Sequence, residues 1–385
     1  MSEWKEYKLG EVLDFGNGKR KPKSEGEIPI YGGNGILGYS SENNYDGETI
    51  IIGRVGAYCG SVYYADEPVW ISDNALSAKP KKNYDTKFLY YFLKDLNLNQ
   101  FAGGSSHPLV TQTLLNSLEV CIVDDVDKQK AIASVLSSLD DKIDLLHRQN
   151  QTLEAMAETL FQQWFVEEAE EDWEEVSLHD AIDLVGGGTP KTSVDEYWNG
   201  NINWLSGGDI ASNHKNFVTN TERLITQVGL QNSSARLLPK YSTVISARGT
   251  VGKYCLLSDE MAFSQSNYGI KPKFSECYFF TYLLIAHSVE RLRSAAYGSV
   301  FDTITTKTFK NHAIQIPSED DILTFEKEIS SYFRKMLGNQ QQIKILEKLR
   351  DTLLPKLMSG EVTINIKKRS YGKRGSNTAY ISRST

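Results

Sequence analysis

The clearest pattern in the chain is a pair of long segments whose apolar residues recur at alternating spacings of four and three. The first segment runs from Ile132 to Trp164 and the second from Phe325 to Leu357. An apolar position about every 3.5 residues predicts two coiled-coil helices. Each seam spans about 50 Å at a rise of ~1.5 Å per residue. Pro355 predicts that regular helix ends before the last seam position, Leu357.

Shorter apolar runs bounded by turn residues precede each seam. The runs at 49–53, 117–123 and 243–246 predict β-strands. One further helix is predicted in each half, at 86–96 and at 278–293. The chain therefore alternates twice between a mixed α/β segment and a long helix.

The two halves also share sequence in the same order. Trp4–Leu9 matches Trp173–Leu178 at an offset of 169, and Val55–Cys59 matches Val251–Cys255 at an offset of 196. The seams match at an offset of 193. These matches indicate an internal duplication, and the increase in offset predicts an insertion of about 25 residues in the second half before Val251.

Two seam asparagines favour an antiparallel pair of helices. Asn150 and Asn339 occupy different seam positions, four residues apart in repeat terms. A pseudo-two-fold axis through the middle of the seam places Asn150 opposite Asn339 and Trp164 opposite Phe325. Two facing amides can satisfy each other and fix the helix register, whereas parallel packing sets each amide against an apolar partner.

These patterns predict an α/β fold with two tandem domains, a pseudo-two-fold internal repeat and two long antiparallel coiled-coil helices. The predicted boundaries are a first domain at 1–125, a first helix at 126–168, a second domain at 169–318, a second helix at 319–362 and a basic tail at 363–385.

Composition narrows the class of protein. The 385 residues include 42 Lys and Arg against 49 Asp and Glu, a net charge of −7, which argues against general adhesion to nucleic acid but allows local basic patches. We expect neither a signal peptide nor a membrane-spanning segment. Four widely separated cysteines favour a reducing, cytoplasmic location.

Charge is unevenly distributed along the chain. Residues 167–175 hold seven acidic side chains in nine positions, which is typical of a solvated linker. Residues 363–385 hold six basic side chains and no acidic one. This tail is compatible with disorder or with an auxiliary DNA contact.

Common catalytic motifs are absent from the sequence. Gly33–Gly38 matches GxGxxG, but the turn-like residues after it cannot open a helix. Gly186–Lys191 is glycine-rich but lacks the ending of a phosphate-binding loop, and the six histidines are too far apart for a local metal site. Cys59 and Cys255 are interpreted as small core residues. We therefore expect no catalytic residue, metal or cofactor in this chain.

Glycine-rich loops carry the residues that we predict to contact DNA. Glycine lets a backbone approach a partner closely, and Lys, Arg and hydroxyl side chains bind phosphates and base edges. Ordinary solvent-exposed loops are the alternative interpretation. The predicted contacts in the first half are Lys19, Arg20, Lys21, Arg54, Tyr58 and Ser105, and those in the second half are Thr189, Lys191, Arg248, Tyr254 and Ser299. Arg54 and Arg248, the two tyrosines and the two serines are predicted to match between the halves.

The chain resembles the specificity subunit of type I restriction-modification systems over residues 1–362. The resemblance rests on the Trp-x-x-x-x-Leu openings, the loop Gly187-Gly-Thr-Pro190, the seams with their Leu-Glu and Thr-Leu pairs, and the ending Leu354-Pro-Lys-Leu-Met-Ser-Gly-Glu361. The first-half loop departs from the pattern, because it has Gly18-Lys-Arg-Lys-Pro22 in place of Gly-Gly-Thr-Pro. The basic tail lies beyond the usual end of the family.

This resemblance implies a non-catalytic subunit that binds double-stranded DNA. Each target-recognition domain would read one half of a split site, and the coiled coil would set the gap between the halves. Two modification subunits would bring S-adenosylmethionine and methylate adenine at N6. Two restriction subunits would bring ATP and Mg²⁺ for translocation and cleavage.

Two other classes remain open from the sequence. A structural protein could use the coiled coil to assemble protein partners, and an intact methyltransferase or nuclease could carry unrecognised motifs. DNA binding should weaken steeply with salt, whereas binding of a protein partner mostly should not.

Overall fold

The computed structural model describes residues 4–81, 83–104, 108–297, 302–367 and 378–383, with side chains up to Ile364. The chain divides into two compact units. Unit 1 comprises Met1–Asp144 with Ile345–Thr385, and unit 2 comprises Leu145–Lys344. Each of the two long helices has one end in each unit.

The first half of the chain contains nine strands and four α-helices among the described residues, with short 3₁₀ helices at Gly56–Tyr58 and Leu98–Phe101. The strands and α-helices are β1 (Trp4–Lys8), α1 (Leu9–Val12), β2 (Leu13–Asn17), β3 (Ile28–Gly32), β4 (Gly35–Ser40), β5 (Thr49–Gly53), β6 (Val62–Ala65), β7 (Trp70–Ile71), β8 (Ala75–Pro80), α2 (Thr86–Asp95), α3 (Gln112–Ser117), β9 (Glu119–Val123) and α4 (Val126–Gln162).

Unit 1 is built on a four-stranded antiparallel sheet in the order β2-β8-β5-β6 and a three-stranded sheet in the order β4-β3-β7. Strand β5 is buried at every position, because it lies between two strands and its Ile50–Ile52 run packs on both faces. Strands β1 and β9 form a separate antiparallel pair. The predicted strand at 49–53 and the predicted helix at 86–96 are both confirmed.

The second half carries a longer series of elements. They are β10 (Glu174–Ser177), α5 (Leu178–Ala181), β11 (Ile182–Gly186), β12 (Trp198–Leu205), α6 (Gly207–Ser212), β13 (Phe217–Val218), β14 (Arg223–Ile225), α7 (Gln227–Gln231), β15 (Leu237–Leu238), β16 (Thr243–Ser246), β17 (Tyr254–Leu257), β18 (Met261–Phe263), β19 (Asn267–Pro272), α8 (Tyr278–Tyr297), α9 (Thr306–Lys310), β20 (Ala313–Ile316), α10 (Glu319–Met358), β21 (Val362–Lys367) and β22 (Thr378–Arg383).

Unit 2 repeats the plan of unit 1 with additions. Its sheets have the orders β11-β19-β16-β17-β13 and β14-β12-β18-β15, and β10 pairs with β20 as β1 pairs with β9. The start of β11 faces Pro272 in β19, as the start of β2 faces Pro80 in β8. The additional elements lie between β11 and β16, before Val251, where the sequence predicts the insertion.

The long helices bury the seam that the periodicity predicts. None of the twenty seam positions is exposed. In each unit the two helix segments run antiparallel: Arg350 bonds Asp140 in unit 1, and Trp164 stands 5.5 Å from Phe325, between ring centroids, in unit 2. The prediction for Pro355 was wrong. Helix α10 continues through Pro355 to Met358, and Leu357 is fully buried because the core of unit 1 packs around it.

The two seam asparagines face each other in unit 2. The Asn339 amide donates a hydrogen bond to the Asn150 side-chain oxygen at 2.9 Å, and the Asn150 amide donates to the Met336 carbonyl at 3.3 Å. Both side chains are buried, so these bonds replace the water that each amide loses. Their control of the helix register stays a prediction.

The segment after α4 and the C-terminal strands complete the description. All seven acidic side chains at 167–175 are exposed. Strands β21 and β22 pair antiparallel, and all of their residues except Val362 belong to the predicted basic tail at 363–385. Across the described residues, no helix is both long and apolar enough to cross a membrane.

Candidate nucleic-acid interface

A loop after β5 and a loop after β16 are held by the same frame of backbone hydrogen bonds. We define the Arg54 loop as residues 53–60 and the Arg248 loop as residues 246–252. In the first loop the N–H to O bonds are Gly53 to Ser61 (2.8 Å), Gly60 to Gly53 (2.8 Å), Arg54 to Asn74 (2.9 Å) and Val110 to Arg54 (3.0 Å). In the second they are Ser246 to Lys253 (2.7 Å), Gly252 to Ser246 (2.9 Å), Ala247 to Ser266 (3.0 Å) and Ile304 to Ala247 (3.1 Å).

This frame corrects the predicted match between the two arginines. The four bonds align the loops so that Arg54 occupies the place of Ala247, and Val55 occupies the place of Arg248. The Val-Gly-x-Tyr-Cys match misaligned the loops, because β6 begins at Val62, after the first motif ends, whereas β17 begins at Tyr254, within the second motif. Arg248 is exposed and Arg54 is half-buried, so both cations keep access to solvent.

The prediction that Tyr254 contacts DNA was wrong. Tyr254 pairs with Ile245 at the start of β17, as Val62 pairs with Ile52 at the start of β6. It is therefore a strand residue, only 1% exposed, packed edge-on against the rings of His214 and Tyr282. Burial raises the pKa of Tyr254. Tyr58 lies in a turn before its strand and is 51% exposed.

The basic loop of unit 1, which we define as Lys19–Lys21, and the Arg54 loop both bond to backbone carbonyls of the segment 71–75. The Lys19 N–H donates to the Ile71 carbonyl at 2.9 Å, and the Arg54 N–H donates to the carbonyl of nearby Asn74. Lys19, Arg20 and Lys21 are all exposed. The segment 71–75 thus brings the first-half cations that the sequence singled out to one surface.

The hairpin of β3 and β4 joins the same surface. A Cβ atom added to Gly33 at its tip would lie 3.6 Å from the Val55 carbonyl oxygen and 3.8 Å from the Gly53 Cα. The Gly33–Gly38 segment runs through this hairpin and into β4, with no helix after it. It therefore lacks the strand-to-helix turn that would cradle a dinucleotide.

In the second half, the loop Gly187–Lys191, which we call the Lys191 loop, packs against the segment 263–266. A Cβ atom on Gly187 would lie 2.2 Å from the Ser264 carbonyl oxygen, so only glycine fits there. The Thr189 hydroxyl bonds Gln265, and Lys191 is exposed. Since Ser266 also holds Ala247, the segment 263–266 supports both the Lys191 and the Arg248 loops.

The two predicted serines, Ser105 and Ser299, lie outside the described residues. Their neighbours can be placed. Gly103 and Leu109 exchange backbone hydrogen bonds of 3.1 and 3.0 Å, and the Gly56 N–H donates to the Pro108 carbonyl at 3.2 Å. The described residues on either side of 105–107 therefore lie beside the Arg54 loop.

Several further side chains on these surfaces are not among the residues predicted from the sequence. In unit 1 they are the exposed apolar residues Ile36, Leu37 and Tyr39 of β4, for which the glycines around them were the available signal. In unit 2, Thr250 is exposed on the Arg248 loop, and its hydroxyl donates to Ser246 Oγ at 3.0 Å. The Arg223 guanidinium lies 3.5 Å from the Trp198 ring centroid.

The chemistry that these loops can perform is binding. They offer cations, hydroxyl groups and exposed backbone, which suit phosphates and base edges. Within the part of the chain that the structure describes, no three His, Cys, Asp or Glu side chains are grouped to hold a metal ion.

Comparisons with known proteins point in one direction. A family model described as the type I restriction modification DNA specificity domain matches residues 1–155 and again residues 170–354. The MjaIX type I restriction enzyme specificity subunit of Methanocaldococcus jannaschii is 24% identical over 330 residues, which cover 79% of this chain and 76% of that protein. The HindI specificity subunit of Haemophilus influenzae is 25% identical over 334 residues, which cover 67% and 72%.

A solved structure shares the fold. The S subunit of a type I restriction-modification system from M. genitalium matches with a TM-score of 0.66 at 18% identity, covering 92% of this chain and 96% of that chain. At this identity the likeness concerns the arrangement of helices and strands alone.

Proposed function

Because the chain belongs to the type I restriction modification DNA specificity family, we propose that it is the DNA-recognition subunit of a type I complex and reads a two-part site in double-stranded DNA. The observation that carries this proposal is the hydrogen-bond frame repeated in the two loops, each beside a second glycine-rich loop with exposed cations. The same backbone frame carries different side chains in the two units, as expected if each unit recognises a different half-site.

The proposed DNA contacts follow from the loops. Unit 1 contributes Lys19, Arg20, Lys21, Arg54 and Tyr58, and unit 2 contributes Thr189, Lys191 and Arg248. Ser105 and Ser299 remain candidates from sequence alone. The flexible lysines suit phosphates, and the arginines suit the paired acceptors of guanine in the major groove.

We assign the long helices the role of a ruler. Helices of 37 and 40 residues measure about 55–60 Å at ~1.5 Å per residue, more than one B-DNA turn of ~34–36 Å. The Asn150–Asn339 pair would hold the register, since a slipped seam would bury each amide against apolar side chains. The gap between the half-sites would then be constant.

The complex would supply the chemistry that this chain lacks. Two modification subunits would dock on the exposed helix faces and on the junctions with the recognition domains, and would carry S-adenosylmethionine for adenine-N6 methylation. Two restriction subunits would carry ATP and Mg²⁺ for translocation and cleavage. This chain would bind no cofactor and would act in the cytoplasm.

The test is to purify the chain with its methyltransferase partner, add S-adenosylmethionine and genomic DNA, and sequence the methylated adenines. We expect methylation at one two-part site with a constant gap. Methylation by the isolated chain, or methylation without sequence restriction, would contradict the proposal.

Variants then assign the half-sites. We expect Lys191→Ala to weaken binding to all sequences and to lower the slope of log affinity against log salt by about one. If Arg248 reads a base, Arg248→Ala should weaken the sequence requirement at one position of one half-site. Lys310→Ala, at the exposed C-terminal end of α9 and outside the residue ranges of both loops, is the matched control. A salt slope that Lys191→Ala and Lys310→Ala lower equally would exclude Lys191 as a specific phosphate contact.

A further inference from the structure

Unit 1 exposes a group of apolar side chains beside its cations. We define the apolar hairpin as Ile36, Leu37 and Tyr39 of β4, which are 47%, 46% and 55% exposed. Val55 and Tyr58 of the Arg54 loop are exposed as well. Single exposed apolar residues are common, but several on adjoining elements of one surface indicate a binding site.

A β-bulge creates this exposure. Ile30 pairs with Gly38 and Tyr31 pairs with Ile36, so Leu37 is an extra residue without a partner in the ladder. Regular alternation would turn either Ile36 or Leu37 to the protected face, whereas the bulge leaves both exposed. Gly35 and Gly38 make the distortion possible with φ of 80° and 146°. Leu37 lies over Gly32, where any Cβ atom would meet its Cδ1 at 2.4 Å.

Cations border the apolar hairpin. The Lys21 ammonium nitrogen lies 3.2 Å from the position of a Cβ atom on Gly38, directly beside Leu37 and Tyr39. The hairpin tip rests on Gly53 and Val55 next to Arg54. Apolar side chains between cations complement a DNA groove, where apolar base atoms lie between two rows of phosphates.

The described residues of the Lys191 loop and the Arg248 loop in unit 2 include no exposed large apolar side chain. Among its described residues between 173 and 316, the large apolar side chains that are exposed are Val228 and Tyr297, and neither lies on the Lys191 or Arg248 loops. The corresponding surface presents Thr189, Gln265 and Thr250. The two units therefore offer different chemistry on the same frame.

We propose that the apolar hairpin enters the major groove of one half-site and reads thymine through its C5 methyl group, with Ile36 and Leu37 as the contacting residues. The methyl group is the apolar feature that the major groove presents at an A·T pair. Unit 2 reads its half-site through polar contacts. This inference rests on the proposed function and adds the chemical means by which unit 1 selects its bases.

The experiment compares thymine with deoxyuridine, which lacks only the methyl group. Once the site is mapped, each thymine of both half-sites is replaced in turn, and the dissociation constant of the complex with the methyltransferase subunit is measured. We expect a loss of about fourfold at one or two thymines in the half-site read by unit 1, the effect of one buried methyl group. Replacements in the other half-site should change affinity less than about twofold.

A thermodynamic cycle assigns the contact. We expect Leu37→Ala or Ile36→Ala to weaken binding to the thymine site and to remove the difference between thymine and deoxyuridine. Val228→Ala, an exposed apolar residue of unit 2, should leave that difference intact. Thermal melting of each variant shows that it folds, and the conservative Leu37→Met should keep most of the thymine preference.

The outcomes separate this inference from the proposed function. A wild-type complex that binds its site specifically but ignores every deoxyuridine replacement overturns the inference and leaves the function intact. An unchanged thymine preference in both hairpin variants overturns it as well. If the variants lose the methyltransferase partner while thymine preference persists, the hairpin is a protein contact. A wild-type complex without sequence-specific binding refutes the proposed function itself.

Discussion

Equivalent positions on the long helices carry an ion pair in unit 1 and apolar side chains in unit 2. In unit 1, Asp140 accepts hydrogen bonds from the Tyr91 hydroxyl at 2.6 Å and from Arg350 at 2.8 Å. The residues 193 positions from Asp140 and Arg350 in the repeat are Phe333 and Ala157, both fully buried in unit 2. Phe333 stacks on Phe279 with ring centroids 4.6 Å apart.

A difference in burial explains why the same helix positions hold an ion pair in one unit and apolar side chains in the other. The Arg350 and Asp140 side chains remain 21% and 23% exposed, so each charge keeps some hydration in addition to its partner. The site in unit 2 is apolar and fully buried, where an unpaired charge would be costly. We therefore expect the apolar version to contribute more to stability and the polar version to depend on its pairing.

The largest expected effect comes from the apolar version. Phe333→Ala should lower the free energy of unfolding of unit 2 by about 3–5 kcal/mol, because it removes a stacked ring and leaves a cavity. Chemical denaturation followed by hydrogen exchange would measure the loss and assign it to unit 2. Leu323→Ala, at a 40% exposed position on the same helix, should cost less than about 0.5 kcal/mol. Equal losses in the two variants would contradict the comparison.

A smaller effect is expected in the polar version. Asp140→Ala should cost about 1–2 kcal/mol, because it leaves Tyr91 without its acceptor and Arg350 with only Asp351. In a cycle with Arg350→Ala, the double variant should lose less than the sum of the single variants. Strictly additive losses would show that the ion pair contributes nothing to stability.

The smallest expected effect is a change of stability with pH that arises from one buried carboxyl group in unit 2. Burial raises the pKa of Glu154 in unit 2 from 4.5 to about 7, and its nearest hydroxyl, Tyr282, is 3.4 Å away. Since the folded state holds this proton more tightly than the unfolded state, the contribution of Glu154 to stability is greatest below about pH 4.5 and is lost as pH rises through about 7.

The matching variant isolates this carboxyl group from others that titrate in the same range. Glu154→Gln should be more stable than the wild type by about 1–2 kcal/mol at pH 8 and nearly equal to it at pH 5. Urea denaturation of both proteins across this range gives the difference. A constant gap between the two curves would mean that Glu154 keeps its ordinary pKa.

Features that depend on periodicity can be predicted from the sequence alone. The 4-3 spacing located both seams, and the duplicated motifs located the insertion between β11 and β16. The positions of Asn150 and Asn339 in the seams favour antiparallel packing, because only that arrangement sets the two amides face to face. Such features are visible in sequence because helical periodicity and the pairing of buried amides restrict many residues at once.

The orientation and the burial of single side chains follow only from the packing of the folded chain. In a strand, a shift of one residue exchanges the exposed and protected faces. The register of β17 therefore buries Tyr254, although Tyr254 and Tyr58 occupy the same place in their sequence motifs. The hydrogen-bond frame of the two loops makes Val55, and not Arg54, the structural equivalent of Arg248. The bulge at Leu37 exposes the apolar hairpin for the same reason, and packing around Leu357 carries α10 past Pro355. Register and packing depend on partners distant in the chain, which local sequence patterns do not specify.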